Sequence, residues 1–142
     1  MTLPSYASGL LFTKAHGLVR QRVYSVLETH HLTATSWATL GSINSAQEGI
    51  RLSSVAEAVG MTPAMITLMA NELIGQGLIK RIPHHTDGRA KLLVITPKGK
   101  QLANTVEQQL NQVIQDLLSG LTAGEIVSFQ KTLETIIHNA QS

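Results

Sequence analysis

The chain contains no cysteine, which removes disulfides, thiolate zinc sites and thiol redox chemistry together and fits a reducing compartment. Charge is scarce as well: Asp, Glu, Lys and Arg make up 14% of the residues, against a typical ~25%. A surface rich in Ser, Thr, Asn and Gln, or one hidden against a partner, is therefore expected. Aromatic residues stand at 4%, and the small and aliphatic residues in their place favour helices with close backbone contacts. No apolar run approaches the ~18 residues of a membrane span, and Met1-Thr2-Leu3-Pro4-Ser5 lacks the basic-then-apolar order of a signal peptide. A soluble, cytoplasmic protein without a membrane partner is the expectation. The sequence also has no glycine-rich phosphate loop, no His-Glu-x-x-His and no nucleophile elbow, which argues against an enzyme. Its histidine pairs, His30-His31 and His84-His85, are adjacent rather than four apart. That spacing does not converge on one ion, so neither a metal nor a cofactor is expected.

What the chain has is charge of one sign in one place. The net charge is only +2, yet six of its eleven Lys and Arg, namely Lys80, Arg81, Arg89, Lys91, Lys98 and Lys100, lie between residues 80 and 100, where Asp87 is the single acid. Duplex DNA carries one charge per ~1.7 Å of axis and rewards clustered cations through counterion release. Distribution rather than net charge therefore points to a polyanion. His84 and His85 are expected to add pH-dependent positive charge to the same region.

Periodicity supplies the frame for that cluster. From Tyr6 to Glu28, Leu11, Ala15, Leu18, Val19, Val23, Val26 and Leu27 recur at three and four residue steps, as on an amphipathic helix. Thr33 suits the N-cap of a second helix running through Trp37, Leu40 and Ile43 to about Gly49. Ser53 is expected to cap a short third helix with Val55, Ala56 and Val59 inward, ended by Gly60 in the left-handed conformation. Thr62 and Pro63 open a fourth helix, whose buried stripe is Ile66, Met69, Ala70 and Leu73. Its other face carries Ala64, Met65, Thr67, Leu68 and Asn71.

Leu78 to Ile82 and Lys91 to Ile95 read as two strands joined at the Asp87-Gly88 reversal, a two-stranded wing. Thr96-Pro97 opens a long helix to Leu117, Ser119-Gly120 breaks it, and Thr122 with Glu125 forms a capping box for a last helix striped by Ile126, Phe129, Leu133, Ile136 and Ile137. The fold class is mainly α with a small β-hairpin wing, a winged helix-turn-helix between long terminal helices. We expect one domain over residues 1–142, with 32–96 as the winged unit and 1–31 and 97–142 as dimerisation helices. The terminal helices have no room to bury their stripes on so small a middle, so a homodimer is the economical solution.

The stretch from Arg51 to Gly99 resembles the winged helix-turn-helix of the MarR family of bacterial transcription regulators. Ser53 to Gly60 is similar to its first short helix, Met61 to Thr67 to the start of its recognition helix, and Gly77-Leu78-Ile79-Lys80-Arg81 to the first wing strand. Asp87-Gly88-Arg89 is similar to its Asp-x-Arg wing tip, and Val94 to Gly99 to the exit into the dimerisation helix. The resemblance implies a dimer that binds a pseudo-palindromic operator in double-stranded DNA and is usually released by a small organic effector. It places Ser53, Thr62, Pro63, Ala64, Met65, Thr67, Leu68, Asn71, Arg81, Asp87, Arg89 and Lys91 on the DNA face. Within that set, Arg89 is expected to enter the minor groove with Asp87 steadying it, a solvated turn residue being the alternative. Many family members carry small polar residues and Arg where this chain has Ala64, Met65 and Leu68. Base reading is then expected to rest on Thr67, Asn71 and apolar contacts with thymine methyls, which favours an A/T-rich site. His16, Arg20, Tyr24 and Trp37 are the candidates for an effector pocket, with core packing the alternative for Trp37. A protein-interaction module using the apolar face, and a metal-responsive regulator, are the competing readings.

Overall fold

Six helices and a three-stranded antiparallel sheet make up the computed structural model, which describes residues 5–88 and 91–142. They fall into two compact units, Met1–Leu110 and Asn111–Ser142. In the first, helix α1 (Ser5–Thr29) leads to α2 (Ala34–Asn44), the short strand β1 (Ile50–Arg51), α3 (Leu52–Val59), α4 (Pro63–Gly75), strands β2 (Ile79–Pro83) and β3 (Lys91–Ile95), and the first part of α5 (Pro97–Leu117).

The junction between α1 and α2 shows how local chemistry sets the path. His31 N–H bonds to the Glu28 carbonyl and Leu32 N–H to the Leu27 carbonyl, both at 3.0 Å. This is the paired closure of a Schellman motif, with His31 left-handed at φ 57°. The motif drops both Leu27 and Leu32 into the core. Thr33 then caps α2, its hydroxyl accepting from Ser36 N–H at 3.1 Å while Ser36 Oγ accepts from Thr33 N–H at 2.8 Å. Helix α2 stops at Asn44, five residues short of Gly49, because the chain turns through Ala46 before Gly49 adopts its positive φ of 103° beside Leu92.

Three sequence expectations change here. The wing is not a two-stranded hairpin alone: β1 pairs with β3 through Ile50–Leu93 and Arg51–Leu92, giving the order β1-β3-β2. Two residues are too few to leave a period-two signal. Ser53 is not a cap either. Because extended backbone runs through Arg51 directly into Leu52, Arg51 holds the cap position without a side-chain bond, and Ser53 lies exposed in the first turn of α3. Met69 is half-buried rather than buried.

The core joins Leu27 of α1, Leu40 and Ile43 of α2, Val55 of α3, Ile66, Ala70 and Leu73 of α4, Leu78, Ile79 and Leu93 of the sheet region, and Ala103 and Val106 of α5. Full burial of each large aliphatic side chain contributes roughly 1.5–3 kcal/mol, so this cluster fixes α4 against the sheet. Helix α5 is seated by Thr96, whose hydroxyl accepts from Gly99 N–H at 3.0 Å and donates to the Gly77 carbonyl at 2.7 Å. Gly99 itself is buried, with its Cα against the Leu78 carbonyl and the Ile95 side chain.

In the second unit, Thr122 and Glu125 close the expected capping box at the start of α6 (Ala123–Ala140). No described residue of α6 is fully buried. No single described helix is long and apolar enough to cross a membrane; α3 and α4 reach that composition only together, and they bend by 108° at the turn between them.

Candidate nucleic-acid interface

Gly60 ends α3 in the left-handed conformation, φ 73°, and two residues later Thr62 caps α4, accepting from Met65 N–H at 3.2 Å. Pro63 occupies the first turn, where a missing N–H costs nothing. With Ile66, Ala70 and Leu73 locked inward at no exposure, the 3.6-residue period leaves Ala64, Met65, Leu68 and Asn71 outside. Leu68 is 61% exposed and Met65 41%. Met65 and Leu68 thus form an open apolar patch on a helix otherwise anchored in the core. Thr67 is half-buried, and its hydroxyl is spent on the Pro63 carbonyl at 2.9 Å.

Asn71 and Arg81 come together. Arg81 Nη2 donates to Asn71 Oδ1 at 2.7 Å, joining β2 to α4. Nothing in the sequence spacing signals this bond, which depends on how α4 packs on β2. Lys91, exposed, opens β3 opposite Pro83. Lys98 reaches the Gln76 carbonyl with its Nζ at 2.8 Å, completing the end of α4.

The wing loop is organised by His84. Its Nδ1 accepts from Thr86 N–H at 3.3 Å and Asp87 N–H at 3.2 Å. Asp87 is exposed beside it. Arg89, expected at the wing tip, lies outside the described residues.

The effector candidates divide. Arg20 and Tyr24 form a pair one helical turn apart on α1, with Arg20 Nε donating to the Tyr24 hydroxyl at 2.9 Å and the guanidinium 4.9 Å from the ring centroid. Tyr24 borders a cleft of about 280 Å³ with Leu27, Leu32 and the start of α2 from Thr33 to Thr35. His16 is exposed on α1, and Trp37 packs against the core; neither borders that cleft. A second cavity, of about 540 Å³, is lined by His30, His31, Gln76 and Lys98, which the sequence did not bring together because three separate elements contribute them. Among the described residues, no group of three or more His, Asp or Glu is placed to hold a metal ion.

Residues 32–91 match the sequence profile of the MarR family. Among solved structures the fold is similar to CouR from Rhodococcus jostii RHA1 bound to p-coumaroyl-CoA, at 25% identity and TM-score 0.75 over 90% of both chains. It is also similar to a mutant of MarR from E. coli complexed with operator DNA, at 23% identity and TM-score 0.76 over 90% of this chain and 91% of that one. A MarR-family transcriptional regulator from Rhodococcus sp. RHA1 matches at 23% identity and TM-score 0.75 over 96% of each chain.

Proposed function

Because the chain carries a MarR-family winged helix-turn-helix over residues 32–91, we propose that it is a dimeric, sequence-specific DNA-binding transcription regulator of the cytoplasm, a repressor released by a small organic ligand. The observation that carries this reading is the open apolar patch of Met65 and Leu68 on α4, beside the exposed cation Arg81. A helix presented this way enters the major groove with its N-terminal residues on base edges. The Thr62 hydroxyl and the positive end of the helix dipole favour a phosphate at that terminus. Ser53, Thr62, Pro63, Arg81 and Lys91 take backbone contacts in this scheme, Ala64, Met65, Thr67 and Leu68 face the bases, and Asn71 lies at the outer end of that row. Asp87 and Arg89 form the wing tip.

Two features support the dimer. Helix α1 leaves Leu10, Leu11, Phe12 and Leu18 more than half exposed, and α6 exposes Val127, Phe129, Ile136 and Ile137 while burying nothing. Residues 1–31 and 97–142 are thus the dimerisation helices of the proposal. A ligand in the Tyr24 cleft would act by preferring a dimer whose recognition helices no longer match major grooves ~34 Å apart. Ten-fold weaker operator binding needs ~1.4 kcal/mol of that preference.

Electrophoretic mobility shift on the DNA upstream of the protein's own gene tests the reading. Retardation at nanomolar protein that weakens steeply with salt is expected. The exposed Met65 and Leu68 favour one competitor, a protein-docking scaffold, and absence of any duplex affinity at low salt selects it.

A further inference from the structure

Resting on the DNA-binding reading, we propose that Asn71 is a positioning residue that presents the Arg81 guanidinium, with its charge intact, to a single phosphate at the rim of the major groove. Among the described residues, Asn71 is the one hydrogen-bond partner of that guanidinium. The partner is an amide, so the pair carries a full positive charge where a carboxylate in the same place would leave none. Among the described residues this bond engages one of the five guanidinium donors, which leaves four for an anion. Both residues are exposed, so the bond does not lie in the core and its worth to folding is small. Its effect is to restrict a long side chain that otherwise samples many rotamers.

Position selects phosphate over base. Asn71 lies eight residues beyond Pro63, ~12 Å along the helix axis. The major groove is itself ~12 Å wide. When the N-terminal residues of α4 sit over base edges, the Asn71 end arrives at the sugar-phosphate wall. Strand alternation places Arg81 on the same face of β2 as buried Ile79, the face against α4, while Lys80 points to the other. Arg81 is therefore the cation of the pair that follows the recognition helix to the DNA.

Fluorescence anisotropy with a labelled mixed-sequence duplex, titrated over a series of KCl concentrations with the full-length chain, tests the assignment. Arg81→Gln is expected to flatten the plot of log affinity against log salt by about 0.9, one phosphate contact. Asn71→Asp keeps the acceptor and neutralises the cation, so it is expected to flatten the slope by a similar amount. In the Arg81→Gln background, Asn71→Asp should change nothing further, because its effect passes through Arg81. A wild-type slope for Asn71→Asp overturns the proposal, as does an effect that adds in full on Arg81→Gln, which marks a general repulsion of DNA by the new carboxylate. If the wild-type chain binds no duplex at any salt, it is the regulator reading itself that fails, a result separate from either.

Discussion

Arg81 reaches back ten residues in sequence to Asn71 and bonds its amide oxygen at 2.7 Å, so the first strand of the wing and the outer face of the recognition helix are fastened at one point on the surface. The core beneath already couples them through Ile66, Leu73 and Ile79. Together these contacts join α4 to the sheet both at the surface and in the core.

His31 is expected to be a site where substitution stabilises. A non-glycine residue in the left-handed region costs ~1–2 kcal/mol, and His31 sits there at φ 57° with the Schellman bonds around it intact. His31→Gly removes that strain but adds ~0.5–1 kcal/mol of unfolded-state entropy. A net gain of roughly 0.5–1 kcal/mol is expected from urea unfolding with an unchanged m-value, and a loss would show that the imidazole makes contacts in the His30, Lys98 cavity worth more than the strain.

Gly99→Ala is expected to cost about 1–3 kcal/mol, the range for forcing extra methyl groups into a filled core. A methyl group there would overlap the Leu78 carbonyl oxygen, which is backbone and already accepts from Thr96 N–H. Relief requires α5 to shift off the sheet. Thermal unfolding followed by circular dichroism measures it, and a midpoint equal to wild type contradicts the close approach.

Much of the architecture was legible because it is written in single residues with strong local meaning. Thr33, Thr62 and Thr122 mark helix starts by their hydroxyls, and Gly60 and Gly120 mark ends by positive φ. What escaped was whatever depends on two distant segments meeting. Strand β1 is two residues long and exists only because β3 lies beside it. The Arg81–Asn71 bond and the histidine-lined cavity likewise join elements whose spacing in sequence carries no period. The recognition face was readable as an outward set, but the use of Thr67's hydroxyl by its own helix was not.

The capping box of α6 makes stability depend on acid. Hydrogen bonds from Thr122, backbone N–H first and hydroxyl second, hold the Glu125 carboxyl below its ordinary value. A carboxyl with a lowered folded-state pKa contributes stability that is complete above the unfolded-state value and is lost as pH falls through the folded-state one. Fraying at the start of α6 is therefore expected on acidification below the usual carboxylate range. Glu125→Gln keeps an acceptor without the titration, and amide exchange at Glu125 and Ile126 in that variant should show no such step; a step of wild-type size assigns it to another group.

The open apolar side chains of α4 carry the last expectation, which concerns sequence preference. Methyl and thioether groups at Leu68 and Met65 cannot donate to guanine O6 or N7, and Thr67 has already committed its proton to the Pro63 carbonyl. Contact with the C5-methyl of thymine is what such a face offers in the major groove. Selection from random duplexes should then enrich A/T-rich half-sites, and Leu68→Arg should shift the enrichment toward guanine, with discrimination of about 1–3 kcal/mol at one base pair. Enrichment of G/C-rich half-sites by the unaltered chain would mean that bases are read from elsewhere, and that Met65 and Leu68 meet protein rather than DNA.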